Sequence, residues 1–232
     1  MASSRSNLGR GIMSAPQDAV PPRLRSLLKR LVELGITREF YLAGGTGLAL
    51  HLNHRRSVDL DWFSRTNRLD ADGRRALLAQ LRQLPQWRVI ESKDGTIHGR
   101  VGLVRVSFFW YPQPLVSSLV RKERVPVAAV EDIGLMKLGA IIGRGSRKDF
   151  IDVYAICQSV PLPRLLALAG KKFRDVQDFQ WQALKALSFF EDAEREPPAV
   201  TVSPVSWDQV KAFFIRAVRL LARQDLRISR KR

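Results

Sequence analysis

The sequence is poor in cysteine, in acidic residues and in long apolar stretches. Its single cysteine, Cys157, excludes an internal disulfide and is typical of a protein kept in a reducing cytoplasm. No apolar run approaches the roughly 18 residues of a membrane span, and the N-terminus lacks the apolar segment of a secretion signal. With one cysteine and three scattered histidines, no spacing predicts a structural zinc site. We therefore expect a cytoplasmic protein with no membrane segment.

The shortage of acids leaves a large excess of positive charge. The 232 residues include 39 lysines and arginines against 22 aspartates and glutamates, which gives a net charge of +17 and a pI near 11.1. Such an excess favours a polyanionic partner, with nucleic acid as the first expectation and an anionic membrane surface as the second. The plainer alternative is that the charge serves solubility and a basic tail.

What the sequence does contain is a glycine turn followed at fixed spacing by two aspartates. Residues 40–46, Phe-Tyr-Leu-Ala-Gly-Gly-Thr, join a strand-length apolar run to two glycines and a threonine. The basic turn 54–57, His-Arg-Arg-Ser, then leads into a second strand that carries Asp59 and Asp61. Because side chains alternate along a strand, both carboxylates are predicted to lie on one face.

Both halves of this motif suit phosphate chemistry. A pair of carboxylates that repel each other suits Mg²⁺ or Mn²⁺, which keeps several waters and is completed by substrate phosphates. If the turn at Gly45 and Thr46 opens a helix, its free N–H groups can cradle phosphate. Each half alone has a plainer interpretation, a turn or a solvated strand face. Together they predict metal-assisted attack on a nucleoside triphosphate.

The order of these features resembles the signature of the polymerase-beta-type nucleotidyltransferases, and the 13 residues between Gly45 and Asp59 fit that signature. More narrowly, residues 42–50 and 54–61 resemble the AbiEii/AbiGii family, the nucleotidyltransferase toxins of bicistronic toxin–antitoxin and phage-defence systems. The resemblance covers roughly residues 22 to 215. It continues in blocks at residues 106–109, 131–133, 136–138, 143–154 and 189–193.

The resemblance implies an α/β (α+β) fold with a polymerase-beta-like nucleotidyltransferase core, a mixed sheet and a C-terminal helical bundle. We place the core at residues 22–128 and the helical domain at 129–224, between a mobile basic arm, 1–21, and a basic tail, 225–232. In related toxins the nucleotide is thought to pass from the triphosphate to the 3′ end of tRNA. A cognate antitoxin is expected as a partner by the same resemblance.

The predicted site residues follow from the motif and the resemblance. Asp59 and Asp61 are the predicted metal ligands. Nucleotide binding is assigned to the glycine turn, the basic turn and a lysine that the family is taken to place on the triphosphate: Gly44, Gly45, Thr46, Arg55, Arg56, Ser57 and Lys137. The catalytic set is Asp59, Asp61, Lys137 and Asp152.

Asp152 enters by resemblance, as the second aspartate of the family's Lys-Asp-Phe-x-Asp block. It is predicted to orient Lys137 or to act as a base. The alternative is a structural one, in which Asp149 caps the helix and Asp152 pairs with Arg144 or Arg147.

Ser107 marks the main departure from the polymerase-beta-type pattern, which often has a third carboxylate at this position. Serine binds Mg²⁺ weakly and is a poor base, although AbiEii-like toxins commonly lack an acid here. Three hypotheses follow: an RNA nucleotidyltransferase toxin, a transferase that modifies Ser, Thr or Tyr of proteins, and a catalytically impaired basic nucleic-acid-binding relative.

Periodicity and turn signals predict the remaining elements. Strands are expected near residues 87–91, 96–100 and 103–110, and helices near 22–34, 72–84, 131–142, 148–158, 163–172, 176–190 and 206–224. Within the helix 176–190 we expect Trp181 and Phe189 to belong to the core. The segment 197–204, rich in proline, is predicted to be a linker.

Overall fold

The computed structural model describes residues 18–229, with side chains to residue 223. Most of the predicted arm, residues 1–17, and the last residues of the predicted tail, 230–232, lie outside the described residues. The backbone of the last helix continues to Ser229, five residues beyond its predicted end.

A mixed seven-stranded sheet forms the first half of the chain, in the order β3-β4-β5-β2-β1-β7-β6. Strands β2 and β5 run parallel, as do β1 and β7, and the other neighbours are antiparallel. The strands are β1 Tyr41–Leu42, β2 Leu60–Ser64, β3 Trp87–Lys93, β4 Thr96–Val101, β5 Val104–Trp110, β6 Val120–Lys122 and β7 Val125–Val127. The predicted mixed sheet is thus confirmed.

Helices flank the first strands and make up most of the described chain after the sheet. They are α1 Pro22–Glu33, α2 Gly44–Leu52, α3 Ala71–Leu81, α4 Val130–Arg144, α5 Arg147–Ile156, α6 Leu162–Lys172, α7 Phe179–Ala186, α8 Glu191–Glu194 and α9 Trp207–Ser229. Helix α4 packs against α2, α5, α6 and α7, so it joins the sheet half to the helical half. Within residues 18–229 no helix is both long and apolar enough to cross a membrane.

Alternation along the central strands separates a core face from a cleft face. On β2 Leu60 and Trp62 are fully buried, and on β5 Val106 and Phe108 are fully buried. The residues between them project from the opposite face of the sheet. Asp61, between Leu60 and Trp62, is therefore carried on the face that does not form the core.

A buried ion pair fastens helix α4 to helix α6 away from that cleft. The ammonium of Lys172 lies 2.7 Å from a carboxylate oxygen of Asp132 and donates to the carbonyl of Pro114 at 3.0 Å. The same carboxylate accepts the backbone N–H groups of Val116 and Ser117, each at 3.0 Å from an oxygen. We call these residues the α4–α6 clip.

Three predictions about the helical half are wrong, one of them only in part. Trp181 is 53% exposed and Phe189 is 55% exposed, although both were expected in the core. The chain breaks after α7 at residue 186 and restarts as α8, so the apolar period does not continue over 176–190 as one helix. The predicted linker is also wrong in part, because residues 200–202 pair with the loop before β2.

Candidate active site

Helix α2 begins against the strand that carries Asp61. Gly44 has φ of +61°, and a Cβ atom there would lie 2.5 Å from Oδ2 of Asp61. Both the left-handed backbone and the close approach require glycine at this position. The first intrahelical bond runs from Gly47 N–H to Ala43 C=O. The N–H groups of the three preceding residues are therefore without a partner inside the helix.

Thr46 fastens the helix to the loop before β2 instead of facing the cleft. Its side chain is 1% exposed, its hydroxyl donates to the backbone carbonyl of Asp59, and Oγ1 lies 2.9 Å from Oγ of Ser57. Strand β2 begins at Leu60, so Asp59 lies just before the strand rather than on it. The Thr46 bond fixes the backbone of Asp59, and its half-buried carboxylate lines the cleft.

The basic loop 54–57 is held between two distant segments of the chain. Ser57 N–H donates to the carbonyl of Ala19 at 2.9 Å, and Arg56 N–H donates to Val200 C=O at 2.8 Å. Val202 N–H in turn donates to His54 C=O at 2.9 Å. We call the segment 200–202 the loop clasp, because it holds the backbone that precedes the two aspartates.

Asp152 lies at the centre of a buried group of positive side chains. Its carboxylate is fully buried and accepts both Nε and Nη2 of Arg55, at 2.6 and 2.8 Å. It also lies 2.7 Å from Nζ of Lys137 and 2.7 Å from Nε2 of His54. A carboxylate accepts only, so the histidine carries its proton on Nε2. The structure thus turns His54 inward, onto the carboxylate of Asp152.

Asp149 completes this cluster from the same helix. It is 1% exposed and lies 2.7 Å from Nζ of Lys137, while Arg144 Nε donates to it at 2.9 Å. The capping position of α5 is Ser146, and Asp152 pairs with neither Arg144 nor Arg147, so the structural alternative for these two aspartates is wrong. We call Lys137, Arg55, Arg144, His54, Asp149 and Asp152 the cleft cluster.

The cluster leaves one donor of Lys137 available. An ammonium group has three N–H donors, and the two aspartates take two of them. Burial lowers the pKa of Lys137, but Asp152 and Asp149 outweigh it and raise the pKa above the ordinary value. Lys137 is therefore a fixed positive charge whose remaining donor is available to the cleft that it lines.

The two acidic positions differ in their proton affinity. Burial alone would raise the pKa of Asp152, but the charges of Lys137 and Arg55 hold it well below the ordinary value. So low a pKa favours the role of positioning Lys137 over that of a base. For Asp61, burial raises the pKa, offset in part by Lys137 and reinforced by the negative charge of Asp59.

Ser107 occupies the place where a third carboxylate was considered. It lies directly opposite Asp61 in the parallel pair of β2 and β5, and it is 3% exposed. Its hydroxyl lies 3.0 Å from Nδ1 of His98 on β4. The structure therefore places a serine–histidine contact beside Asp61.

Two cavities meet at Asp61. One, of about 640 Å³, is lined mainly by polar and charged groups, and the other, of about 270 Å³, is lined mainly by apolar groups. Both cavities are lined in part by Asp61, Phe109, Lys137 and Arg144. The polar cavity also reaches Gly45, Arg55, Arg56, Ser57, Asp59 and Lys148, and the apolar one reaches Gly44, Phe63, Tyr111, Ile133, Met136 and Ala140.

The carboxylates of this cleft fit a divalent cation. Asp59 and Asp61 line the polar cavity, and neither makes an ion pair with a side chain of residues 18–223. Among the described residues no group of three or more His, Cys, Asp or Glu could enclose a metal. Mg²⁺ is usually held by one or two carboxylates together with water and substrate phosphates, rather than by protein ligands alone. The pair Asp59 and Asp61 matches that kind of site.

Most predicted site residues lie in one cleft, in unequal roles. Arg56 is exposed at the mouth, whereas Arg55 is 4% exposed with its guanidinium on Asp152. Thr46 is turned away into the fold. Sequence reasoning assigned no ligand contact to Lys148, which is exposed in the same cavity. Its only signal was its place in the basic stretch 144–148.

Comparisons of the fold give nucleotidyltransferases. The toxin MenT4 of Mycobacterium tuberculosis H37Rv, a nucleotidyltransferase, superposes with a TM-score of 0.55 at 14% identity, over 86% of this chain and 84% of that one. The antibiotic-resistance factor ANT(2'')-Ia superposes with a TM-score of 0.52 at 16% identity, over 70% of this chain and 95% of that one. At these identities the likeness establishes the polymerase-beta-like fold alone.

Comparisons of the sequence give the family. An uncharacterised protein of Aquifex aeolicus (strain VF5) is 36% identical in an alignment of length 201, which covers 84% of this chain and 94% of that protein. The family model described as "Nucleotidyl transferase AbiEii toxin, Type IV TA system" matches residues 26–227. With the fold and the cleft already described, this match means that the chain is a nucleotidyltransferase and belongs to the AbiEii toxin family.

Proposed function

We propose that this nucleotidyltransferase transfers a nucleoside monophosphate from a nucleoside triphosphate to the 3′ end of an RNA, with tRNA as the expected acceptor. The observation that carries the proposal is the charge layout of the polar cavity. Asp59 and Asp61, which make no ion pair with any described side chain, share it with the cations Lys137, Arg144 and Lys148. A triphosphate that carries a divalent cation complements both sets of charges.

Asp59 and Asp61 would hold Mg²⁺ or Mn²⁺ with the phosphates and water. When bound, the ion polarises the α-phosphate and neutralises charge that develops on it. The backbone carbonyl of Asp59 is fixed by Thr46, and Gly44 leaves room for the Asp61 carboxylate. These two contacts would hold the carboxylates in place before any ligand arrives.

The chain's own donors would bind the triphosphate. Free N–H groups at the start of α2 point partial positive charge toward bound anions. Lys137 adds its third N–H, and Asp149 and Asp152 hold its ammonium in place. Arg56, Lys148 and Ser57 line the same cavity and would contact the outer phosphates. Arg55 would act through Asp152, since its guanidinium is bonded there.

The reaction joins the hydroxyl oxygen of the acceptor to the α-phosphorus. The bond from that phosphorus to the bridging oxygen of the β-phosphate breaks, and pyrophosphate leaves with the electron pair. The proton of the hydroxyl passes to solvent. The net charge of +17 supports an RNA acceptor, and the aromatic side chains Phe63, Phe109 and Tyr111 in the apolar cavity support stacking of a nucleobase.

The test is transfer of label from α-phosphate-labelled nucleoside triphosphates, each alone with Mg²⁺ and total RNA. Asp61→Asn is the variant in which we expect loss of transfer, and Asp72→Asn on exposed helix α3 is its matched control. We expect label in RNA of tRNA size with the natural protein and with Asp72→Asn, and none with Asp61→Asn.

Other results would contradict the proposal. Label in protein would mean that the acceptor is a Ser, Thr or Tyr hydroxyl. Label in RNA that persists in Asp61→Asn would mean that the proposed carboxylate site is wrong. The effect of the cognate antitoxin, which the family predicts as a partner, is a separate measurement. It is made by repeating the transfer assay with the antitoxin added.

A further inference from the structure

A row of three arginines crosses the sheet beside the active site. Arg88 on β3 lies directly opposite Arg100 on β4, and Arg100 lies directly opposite Arg105 on β5. Directly opposed residues of antiparallel strands project from the same face, with Cβ atoms about 5 Å apart. All three side chains are exposed. We call Arg88, Arg100 and Arg105 the arginine row.

The row lies on the same face of the sheet as the carboxylates. Arg105 is two residues before Ser107 on β5, and Ser107 lies opposite Asp61 on β2. Residues two apart on a strand share a face. Arg105 also lines the polar cavity with Asp61. The arginine row therefore leads from the cavity to β3, the edge of the sheet.

Folding gives no reason for this arrangement. Like charges directly opposite each other on a sheet are destabilising. Within the described side chains, none of the three arginines makes an ion pair with an acidic group. The nearest acid along β3 is Glu91. Its carboxylate lies 2.9 Å from Nζ of Lys93 and 3.8 Å from Nε2 of His98. An unneutralised row of this kind indicates an external anion.

The spacing indicates an extended anion rather than the triphosphate. Arg88 is three strands away from Asp61, a distance of roughly 14 Å at about 4.8 Å per strand. A nucleotide whose α-phosphate reacts at Asp61 leaves that part of the sheet uncovered. One guanidinium group can donate two parallel N–H bonds to two oxygens of the same phosphate. A polymer with a phosphate in each unit can contact successive arginines along the row.

We propose that the arginine row binds the phosphate backbone of the RNA whose 3′ end reacts at Asp61. The proposal rests on the RNA acceptor of the proposed function and adds the path of that RNA over β5, β4 and β3. Beside the row, a register shift between Val89 and Glu91 exposes Ile90 by 62%, which provides an apolar contact for a base.

The experiment measures binding without a nucleoside triphosphate, so that it does not depend on catalysis. Affinity for a fluorescein-labelled single-stranded RNA is measured by anisotropy over a series of salt concentrations. The variant is Arg88→Gln/Arg100→Gln/Arg105→Gln in the full chain. Three lost phosphate contacts lower the slope of log affinity against log salt by about 2, at about 0.7 per contact for single strands.

A matched control removes the same charge elsewhere. Arg82, Arg164 and Arg219 are exposed, lie at the end of α3 and on α6 and α9, and make no ion pair among the described side chains. Arg82→Gln/Arg164→Gln/Arg219→Gln should keep the natural salt slope. Melting temperatures establish that both variants fold, and relief of repulsion should leave the row variant at least as stable as the natural protein.

The outcomes separate this proposal from the proposed function. If the slope of log affinity against log salt falls equally in both triple variants, the proposal is overturned, because net charge alone would explain the binding. Unchanged RNA affinity in the row variant would overturn it too, even if transfer to RNA is observed. Loss of binding to phosphatidylserine vesicles without loss of RNA binding would instead mark the row as a membrane contact. A row-specific loss of RNA binding supports the row even where no transfer is detected.

Discussion

The cleft cluster and the α4–α6 clip are both buried networks of lysine and aspartate, yet they differ in how completely their charges are matched. In the clip, one ammonium faces one carboxylate, and the remaining bonds go to backbone groups of the loop 114–117. In the cleft cluster, two carboxylates face the charges of Lys137, Arg55 and Arg144. The cluster therefore has an excess of positive charge, and it lines a cavity.

The difference teaches that burial of charge does not by itself mark a functional site. Both aspartates of the comparison, Asp132 and Asp152, are 0% exposed. What distinguishes the cleft cluster is its excess of positive charge and the polar cavity that Lys137 lines, whereas the Lys172 ammonium lies over the ring of Tyr111. A network whose charges are matched stabilises the fold, and a network with an excess of positive charge at a cavity is suited to an anionic ligand. Four predictions test this distinction.

The largest effect is expected from two aspartate variants that should fail in opposite ways. Asp61→Asn should reduce transfer by about 1,000-fold, as for loss of a main electrostatic contact. Its stability in EDTA should not fall, because burial disfavours the charged form of Asp61. Asp132→Asn should lower the unfolding free energy by about 4 kcal/mol, because Lys172 is left buried without its partner. Urea unfolding and turnover per folded molecule check both, and reduced turnover in folded Asp132→Asn would contradict the distinction.

The two lysines should repeat the contrast with a smaller effect on turnover. Lys137→Met should reduce transfer about 100-fold. It should destabilise by only about 2 kcal/mol, since Asp152 keeps Arg55 and Asp149 keeps Arg144. Lys172→Met should destabilise by about 4 kcal/mol and leave kcat unchanged. The contrast between the two lysines would be contradicted if Lys137→Met had the natural kcat, or if folded Lys172→Met had a reduced kcat.

The pH dependence of stability tests the charge on Asp152. Because the folded-state pKa of Asp152 is held well below its ordinary value of 3.8, ionised Asp152 stabilises the fold above that pH. The contribution is lost as the pH falls from there through the folded pKa. The difference in unfolding free energy between the natural protein and Asp152→Asn should be constant from pH 7 to about 5 and shrink below about 4. A difference that grows on acidification would mean that Asp152 is buried as the neutral acid.

The smallest effect compares two glycines. Gly44→Ala should destabilise by about 1–2 kcal/mol because of its positive φ. It should also reduce transfer, because the new Cβ displaces the Asp61 carboxylate. Gly170 on α6 has no atom within 4 Å of an added Cβ, so Gly170→Ala should stabilise by about 0.4–1 kcal/mol and leave transfer unchanged. Equal melting temperatures and equal rates for the two variants would contradict the role given to Gly44.

The sequence predicted those parts of the molecule that local pattern controls. Alternation and turn residues predicted strands β1 to β5, and the glycine turn indicated where helix α2 could begin, but β6 and β7 were not predicted. Asp59 is predicted to lie on the second strand but lies one residue before β2, where the bond from Thr46 holds its backbone. Hydrogen bonds of this kind leave no periodic signal.

Contacts between distant segments could not be predicted in the same way. The residues next to Arg55 in the sequence predict that it binds phosphate. Its actual partner, Asp152, lies 97 residues further along the chain. The pairing depends on how α5 packs beside the loop, which neither segment encodes alone. For the same reason the proline-rich segment 197–204 was taken for a linker, although its residues hold the basic loop.

The loop clasp has a consequence for the synthesis of the protein. The backbone bonds that hold residues 54–56 come from Val200 and Val202, which follow the basic loop by more than 140 residues. A chain still growing on the ribosome lacks them until these residues have left the exit tunnel. The loop before Asp59 and Asp61 can therefore close only after residues 200–202 have been made, long after the last strand of the sheet, which ends at Val127.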